Sequence, residues 1–421
     1  MNLARQEKMS VIWLEGERVM SKVLVFNFPG EGHINPTIAL VEELIQRGEE
    51  VIYYCVEEYR KKIEKTKATF RAYENFMSRV DIMKRMNEKT NPLEMALRIT
   101  KATDEIVADI LEEIREEEYD YVIYDNNFPA GWIIADILNL PKISSCTTFA
   151  MNELVYAGVM NMKNQIDKES PMYQEIMAMY KKWKDQYGID CNGILDMINH
   201  PGDMTIVFTS KLYQPHAEQF DDSFIFVGPS IAQRKDVEHF PFEKIQTDKL
   251  IFISMGTVFN QQPEFYHMCF EAFRDSQATV VLSVGKNTDI NQFHEIPSNF
   301  LVFNYVPQLE VLQRADVFIT HGGMNSSSEG LYFGVPLVVI PVAGDQPIVA
   351  KRVEELGAGI QLDRQLLTAD QLRAAAERVL HNPSFAEKSR KIGDSLKEAG
   401  GFKKAADEIF KFRRQLSITS K

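Results

Sequence analysis

Two Rossmann-like α/β domains facing a cleft are the fold predicted for this chain, and three observations predict them. Its 421 residues exceed the roughly 250 to 300 that one hydrophobic core usually serves. The first half opens as strand, glycine turn, helix and strand, the beginning of a parallel α/β unit. A second series of short apolar runs, each ending in small residues or glycine, starts after a polar stretch around residues 233–248 that has no sustained period.

Taken in order, Val23-Leu24-Val25-Phe26 is an apolar run short enough for a buried strand. It enters the turn Pro29-Gly30-Glu31-Gly32-His33, followed by Ile38, Leu40, Val41 and Leu44 at helical spacing up to Gly48. Val51 to Cys55 reads as the second strand, residues 57–117 as mostly helical, and Tyr121 to Tyr124 as a buried strand ending at Asp125. Residues 150–200 read as mostly helical. Methionines gather between Met77 and Met204, which suits either an adaptable apolar pocket or ordinary core filling.

The first domain is placed at 20–229, a linker at 230–248 and the second domain at 249–421. Strands are expected at Leu250–Ile253, Thr279–Val284, Leu301–Phe303, Val317–Thr320 and Leu337–Ile340. The last helix, near Ala405 to Phe412, is expected to pack back across the boundary. Met20 stands just before the first strong strand, so residues 1–19 are expected to be a non-native or disordered extension, without the apolar core of a signal peptide.

An apolar fraction of 45% and a charged fraction of 25% are ordinary for a globular protein. The net charge of -13 argues against nucleic acid, whose phosphates call for clustered Lys and Arg. Cys55, Cys146, Cys191 and Cys269 have neither zinc-ligand nor redox spacing, and are expected to be reduced thiols of a cytoplasmic, monomeric protein. No apolar run reaches the roughly 20 residues of a membrane span.

The stretch 305–346 carries the densest chemistry. The apolar run Val317 to Thr320 leads to His321-Gly322-Gly323-Met324-Asn325-Ser326, which would put orphan N–H groups and a helix dipole at the carboxyl edge of a sheet, where anions bind. Ser326-Ser327-Ser328-Glu329 also fits a capping box, so Ser326 and Glu329 have a purely structural reading beside the functional one. Ser254-Met255-Gly256-Thr257 is a second small-residue turn directly after a strand.

In the first half, Gly30-Glu31-Gly32 begins like a dinucleotide fingerprint, but Asn35 stands where the third glycine is needed and Pro36 follows. What the turn does offer is His33, exposed to the cleft and biased toward neutral imidazole by a helix N-terminus. Asp125, on the same carboxyl edge, could fix its tautomer and stabilise the imidazolium, or could cap the following turn in competition with Asn126 and Asn127.

Together, Tyr305-Val306-Pro307-Gln308, His321 to Ser326 with Glu329, Gly334-Val335-Pro336 and Asp345-Gln346 resemble, in this order, the donor-binding signature of UDP-glycosyltransferases. Gly30 to Pro36 resembles their N-terminal catalytic loop, and the bacterial macrolide and flavonoid glycosyltransferases of the GT-B fold are the nearest in pattern. The resemblance implies uracil stacking on Tyr305, where Trp often stands, with Val306 and Gln308 beside it. It assigns His321, Ser326 and the turn amides, Gly323 among them, to the diphosphate, with Asn325 beside them and Ser254, Gly256 and Thr257 flanking. Glu329 is implied for the ribose, and Asp345 and Gln346 for the sugar hydroxyls.

His33 and Asp125 match the base and its orienting acid. The implied reaction moves a hexose, glucose first, from a UDP-sugar to a hydroxyl of a hydrophobic small molecule, with no metal and no cofactor beyond the co-substrate. A UDP-sugar epimerase and a noncatalytic nucleotide-sugar-binding protein are the alternatives.

Overall fold

The computed structural model describes residues 13–14, 17–18, 20–76, 92–155, 167–191, 193, 199–232, 240–257, 260 and 262–419. Of the first 19 residues it describes two short antiparallel strands, β1 (Trp13–Leu14) and β2 (Glu17–Arg18). Two parallel sheets follow, each wrapped by helices.

The first sheet contains β3 (Lys22–Phe26), β4 (Glu50–Cys55), β5 (Thr69–Ala72), β6 (Tyr121–Asp125), β7 (Lys142–Cys146), β8 (Met204–Val207) and β9 (Phe224–Phe226), in the order β5-β4-β3-β6-β7-β8-β9. The second contains β10 (Leu250–Ser254), β11 (Thr279–Ser283), β12 (Phe300–Phe303), β13 (Val317–Thr320), β14 (Leu337–Val339) and β15 (Gly359–Gln361), in the order β12-β11-β10-β13-β14-β15. Every neighbouring pair in both is parallel. Both follow the doubly wound order in which the winding reverses beside the first strand, and ligands bind beyond the carboxyl ends at that reversal. In the first sheet the reversal lies between β3 and β6, and in the second between β10 and β13.

Helices on both faces explain why the central strands read as continuous apolar runs rather than alternating ones. Val23, Leu24, Val25 and Phe26 are all fully buried, as are Phe252, Ile253, Phe318 and Ile319. Two of the strands the sequence reading missed lack such a run. Thr69-Phe70-Arg71-Ala72 falls in the stretch expected to be helical, but forms the sheet's edge, where Arg71 pairs with Glu117 at 2.7 Å. Charge on a short edge strand is a common way to blunt it. In β7 two buried serines interrupt the apolar pattern, and Ser144 Oγ donates to the His200 carbonyl at 3.0 Å.

Within 150–200 the described helix is Pro171–Tyr187, started by Ser170, whose side chain accepts from the Tyr173 N–H, and ended by Gly188 at φ 74°. Met172 and Met177 on this helix pack against the first domain's core, which favours core filling at those two positions. Met77, Met83, Met86, Met160, Met162 and Met197 lie outside the described residues.

The domains are tied in several places. Arg352 donates to the carbonyls of Tyr213 at 3.0 Å and Leu212 at 2.9 Å, and Ser210 and Ser395 share a hydrogen bond of 2.8 Å. The helix Gly401–Thr419 lies on the helix Glu31–Gln46, with Ala405, Ala406 and Ile409 inside the first domain's core. Arg47 meets Asp407 at 2.6 Å, and Arg413 pairs with the buried Glu49. In the segment read as a linker, Phe240 is buried and packs at a tilt against the Phe303 ring of the second domain, 5.1 Å between centres.

Candidate active site

At the first sheet's reversal, β3 hands the chain to the helix Glu31–Gln46. This helix begins earlier than the glycine turn suggested: Gly30 is the N-cap in extended geometry, and His33 stands in the first helical turn. Its Nδ1 lies 2.7 Å from Asp125 Oδ2, at the end of β6. Asp125 is completely buried, and its Oδ1 accepts the Asn127 N–H at 2.8 Å. The carboxylate therefore does both things the sequence allowed, holding the turn with one oxygen and the imidazole with the other.

Three further contacts fix the ring and its helix. Thr147 Oγ1 is 3.3 Å from His33 Nδ1, and the Phe28 ring packs on the imidazole at 4.9 Å. Asn27, buried at the end of β3, donates to the His33 carbonyl at 3.1 Å and to Tyr53 Oη at 2.7 Å, while Tyr73 donates to the Asn27 carbonyl. The sequence reading missed Asn27, Thr147 and Tyr73. The available signal for Asn27 was position, since it directly follows the apolar strand β3 at the carboxyl edge.

The protonation of His33 differs from expectation. Burial works to lower its pKa, but the charge and hydrogen bond of Asp125, joined by the charge of Asp345, outweigh burial and raise it above the ordinary imidazole value. A buried carboxylate in contact acts more strongly on the ring than the partial charge of a helix end.

The second sheet's reversal builds a different site. Ser254 and Thr320 end paired strands, and the turns beyond them bring Gly256 and His321 together. Gly256 has φ +75°, and a Cβ there would stand 2.5 Å from His321 Cε1; a Cβ on Gly323 would stand 2.5 Å from Nε2. The imidazole is thus pressed between two glycines. Burial lowers its pKa to about 4, opposed by a hydrogen bond to the Ser254 backbone, so the ring is neutral at pH 7.

The helix Met324–Tyr332 starts at this point, with Gly323 as N-cap and no side-chain cap. This corrects the capping-box reading, because Ser326 is already inside the helix. Gly323 brings no side chain to the helix's first N–H groups, a start that suits an anion, and of these groups Met324's meets the Asp345 carboxyl.

Ser326 Oγ lies 3.5 Å from Gln308 Nε2, which donates to Glu329 Oε2 at 2.6 Å. Gln308 opens a short helix after Tyr305, Val306 and the N-cap Pro307. Tyr305 is 38% exposed, with Lys286 Nζ 5.9 Å from its ring centre, while Val306 is buried. Thr257 is exposed in its turn, whereas Ser254 is buried.

Asp345 and Gln346 begin another helix, Gln346–Glu355. Burial raises the Asp345 carboxyl, against its own backbone N–H, the charge of His33 and the Met324 N–H. That set of neighbours places Asp345 between the two domains' helix starts. Gln346 is buried, and its Oε1 accepts the N–H groups of Val342 at 2.7 Å and Ala343 at 3.1 Å. Any contact it donates to a ligand therefore falls to Nε2. Asn325 reaches across the cleft, its Nδ2 lying 2.8 Å from the Gly32 carbonyl.

Among the described residues no group of three His, Cys, Asp or Glu side chains is placed to hold a metal ion, and no helix is long and apolar enough to cross a membrane.

Comparison with known proteins identifies the family and the fold. Residues 268–399 match the C-terminal domain family of erythromycin biosynthesis protein CIII-like proteins. The chain is 45% identical over 401 residues to the uncharacterized UDP-glucosyltransferase YojK of Bacillus subtilis, covering 94% of this chain and 98% of that protein. It is 36% identical to the NDP-glycosyltransferase YjiC of the same organism, over 94% and 98%, and 27% identical to the oleandomycin glycosyltransferase of Streptomyces antibioticus, over 92% and 90%. The solved structure of CalG4, the calicheamicin glycosyltransferase, superposes with a TM-score of 0.82 at 26% identity, covering 93% of this chain and 98% of that one. The chain belongs to the UDP-glycosyltransferases, glycosyltransferase family 1, and has their GT-B fold of two facing parallel-sheet domains.

Proposed function

We propose that this glycosyltransferase moves a hexose, glucose by preference, from a UDP-sugar to a hydroxyl of a hydrophobic small molecule such as a macrolide or flavonoid, with inversion at the anomeric carbon. The observation that carries the reading is the 2.7 Å pair between His33 Nδ1 and the buried Asp125, placed across the cleft from the helix start at Met324. With Nδ1 held by the carboxylate, Nε2 takes the acceptor's hydroxyl proton as the oxygen attacks the anomeric carbon. Asp125 stabilises the imidazolium that forms. The bond from the sugar to the diphosphate breaks on the opposite face, and its electron pair leaves with UDP.

The developing charge on UDP meets the N–H groups at the start of the Met324 helix and neutral His321. The scheme calls for no metal. Tyr305 offers its exposed face to uracil, Glu329 and Gln308 serve the ribose, and Asp345 with the Gln346 amide serves the sugar hydroxyls. The UDP-glucosyltransferase relative supports the donor, and the oleandomycin enzyme supports a macrolide-like acceptor.

The test is a mass-shift assay of several UDP-sugars against mixed macrolide and flavonoid acceptors, with His33→Ala beside the parent. Transfer by the parent and its loss in the variant are expected. An equal rate in the variant overturns the base, and a new sugar isomer formed without acceptor would indicate an epimerase instead.

A further inference from the structure

Pro36 lies inside the helix Glu31–Gln46, and proline has no N–H to give the carbonyl four residues earlier. That carbonyl belongs to Gly32. It is met instead by Asn325 Nδ2 at 2.8 Å, from the second residue of the other domain's Met324 helix. A carbonyl oxygen only accepts, so the amide nitrogen of Asn325 must face it. The contact joins the two working parts at adjacent residues, since His33 follows Gly32 and Ser326 follows Asn325. The other hydrogen bonds between the domains described above run through Arg352 and Ser210 with Ser395, neither of which carries a site residue.

We propose that Asn325 is a positioning residue that closes the cleft by holding the Gly32 carbonyl left free by Pro36, and so sets the spacing between His33 and the donor's diphosphate. This deepens the proposed function, on which its kinetic consequence rests. The resemblance places Asn325 beside the diphosphate, but the hydrogen bond gives its amide to the opposite domain. Small errors in the alignment of base and donor act on the rate of the chemical step rather than on donor affinity.

The experiment compares the full-length parent with Asn325→Ala, Asn325→Asp, Pro36→Ala and the Asn325→Ala/Pro36→Ala double variant. Pro36→Ala supplies the missing N–H, returning the Gly32 carbonyl to its own helix while leaving Asn325 in place. Asn325→Asp removes the donor but suits a helix's first turn, which guards against loss of the fold.

Small-angle scattering of the ligand-free proteins should show a larger radius of gyration in every single variant, with the double variant no larger than either of its parents. Kinetics should show kcat lowered about fivefold, the order of one hydrogen bond, in Asn325→Ala and Pro36→Ala, with their UDP affinity within about twofold of the parent, while Asn325→Asp, whose charge faces the diphosphate, is read by scattering alone. Weakened UDP affinity in Asn325→Ala beside an unaltered Pro36→Ala would overturn the proposal, as would unchanged radii or additive losses in the double variant. If the parent transfers no sugar, the proposed function fails, while the scattering still decides the latch.

Discussion

The chain's two glycine-turn histidines, His33 and His321, occupy corresponding places in the two domains, each just beyond the strand ends at a sheet's reversal, yet their pKa values are pushed in opposite directions. His33 touches a buried carboxylate and is held above the ordinary imidazole pKa. His321 is pressed between Gly256 and Gly323, and burial lowers it to about 4. The fold alone does not decide what a histidine at a sheet edge does. The nearest charge decides it, and in this molecule that charge comes from the next strand of one sheet.

The sharpest way to break this comparison is to delete each ring. His33→Ala should lower transfer by about a thousandfold, within the usual range for a general base, with UDP affinity retained in calorimetry. His321→Ala should instead weaken UDP binding, and equal effects of the two on UDP binding would erase the distinction.

Asp125→Asn should cost about a hundredfold in kcat/KM and also change its pH dependence. The working form of His33 is neutral, so activity falls as pH drops through the raised pKa. Removing the carboxylate removes its largest raising influence and leaves burial, so the acid limb should move to lower pH. A limb that stays in place would assign the titration to another group.

A third contrast tests the glycine clamp. Gly256→Ala places a methyl group against His321 at φ +75° and should weaken UDP binding about tenfold. Gly344→Ala has a similar φ of +66° but nothing within 4 Å, so it should cost only about 1 to 2 kcal/mol of stability, read from denaturant midpoints, with little change in affinity. The smallest effect is expected from Gln308→Ala, which removes one hydrogen bond to Glu329 and should weaken UDP binding about fivefold.

The same contrast accounts for what the sequence made legible. The second domain's candidate site comes from residues 254–257 and 305–346, mostly in one run, and much of its expected binding power lies in backbone N–H groups that glycine and helix-start residues announce. It could be read in order. The first domain's site is assembled from His33, Asp125 and Thr147, separated by whole crossovers, and no local pattern joins Thr147 to an imidazole 114 positions away.

Protonation was harder still. The helix-end argument for a neutral His33 was sound locally and was overridden by a charge whose distance the sequence does not contain. The capping-box reading of Ser326 failed for a similar reason, since the Gly323 backbone starts the helix before the serines are reached. Strand detection failed where polar residues broke the apolar runs, at β5 and β7, while the uninterrupted β3, β10 and β13 were plain.

The helix Gly401–Thr419 has a consequence for how the molecule is made. Ala405, Ala406 and Ile409 complete an apolar face of the first domain, so that domain waits for the last part of the chain to leave the ribosome before its surface is covered. Chains are synthesised at about 5 to 20 residues per second, which leaves the face of the Glu31–Gln46 helix bare for tens of seconds. A first domain produced alone would retain that exposed face, and a chimera that exchanges first domains between relatives needs two crossover points, so that this helix travels with the partner it covers.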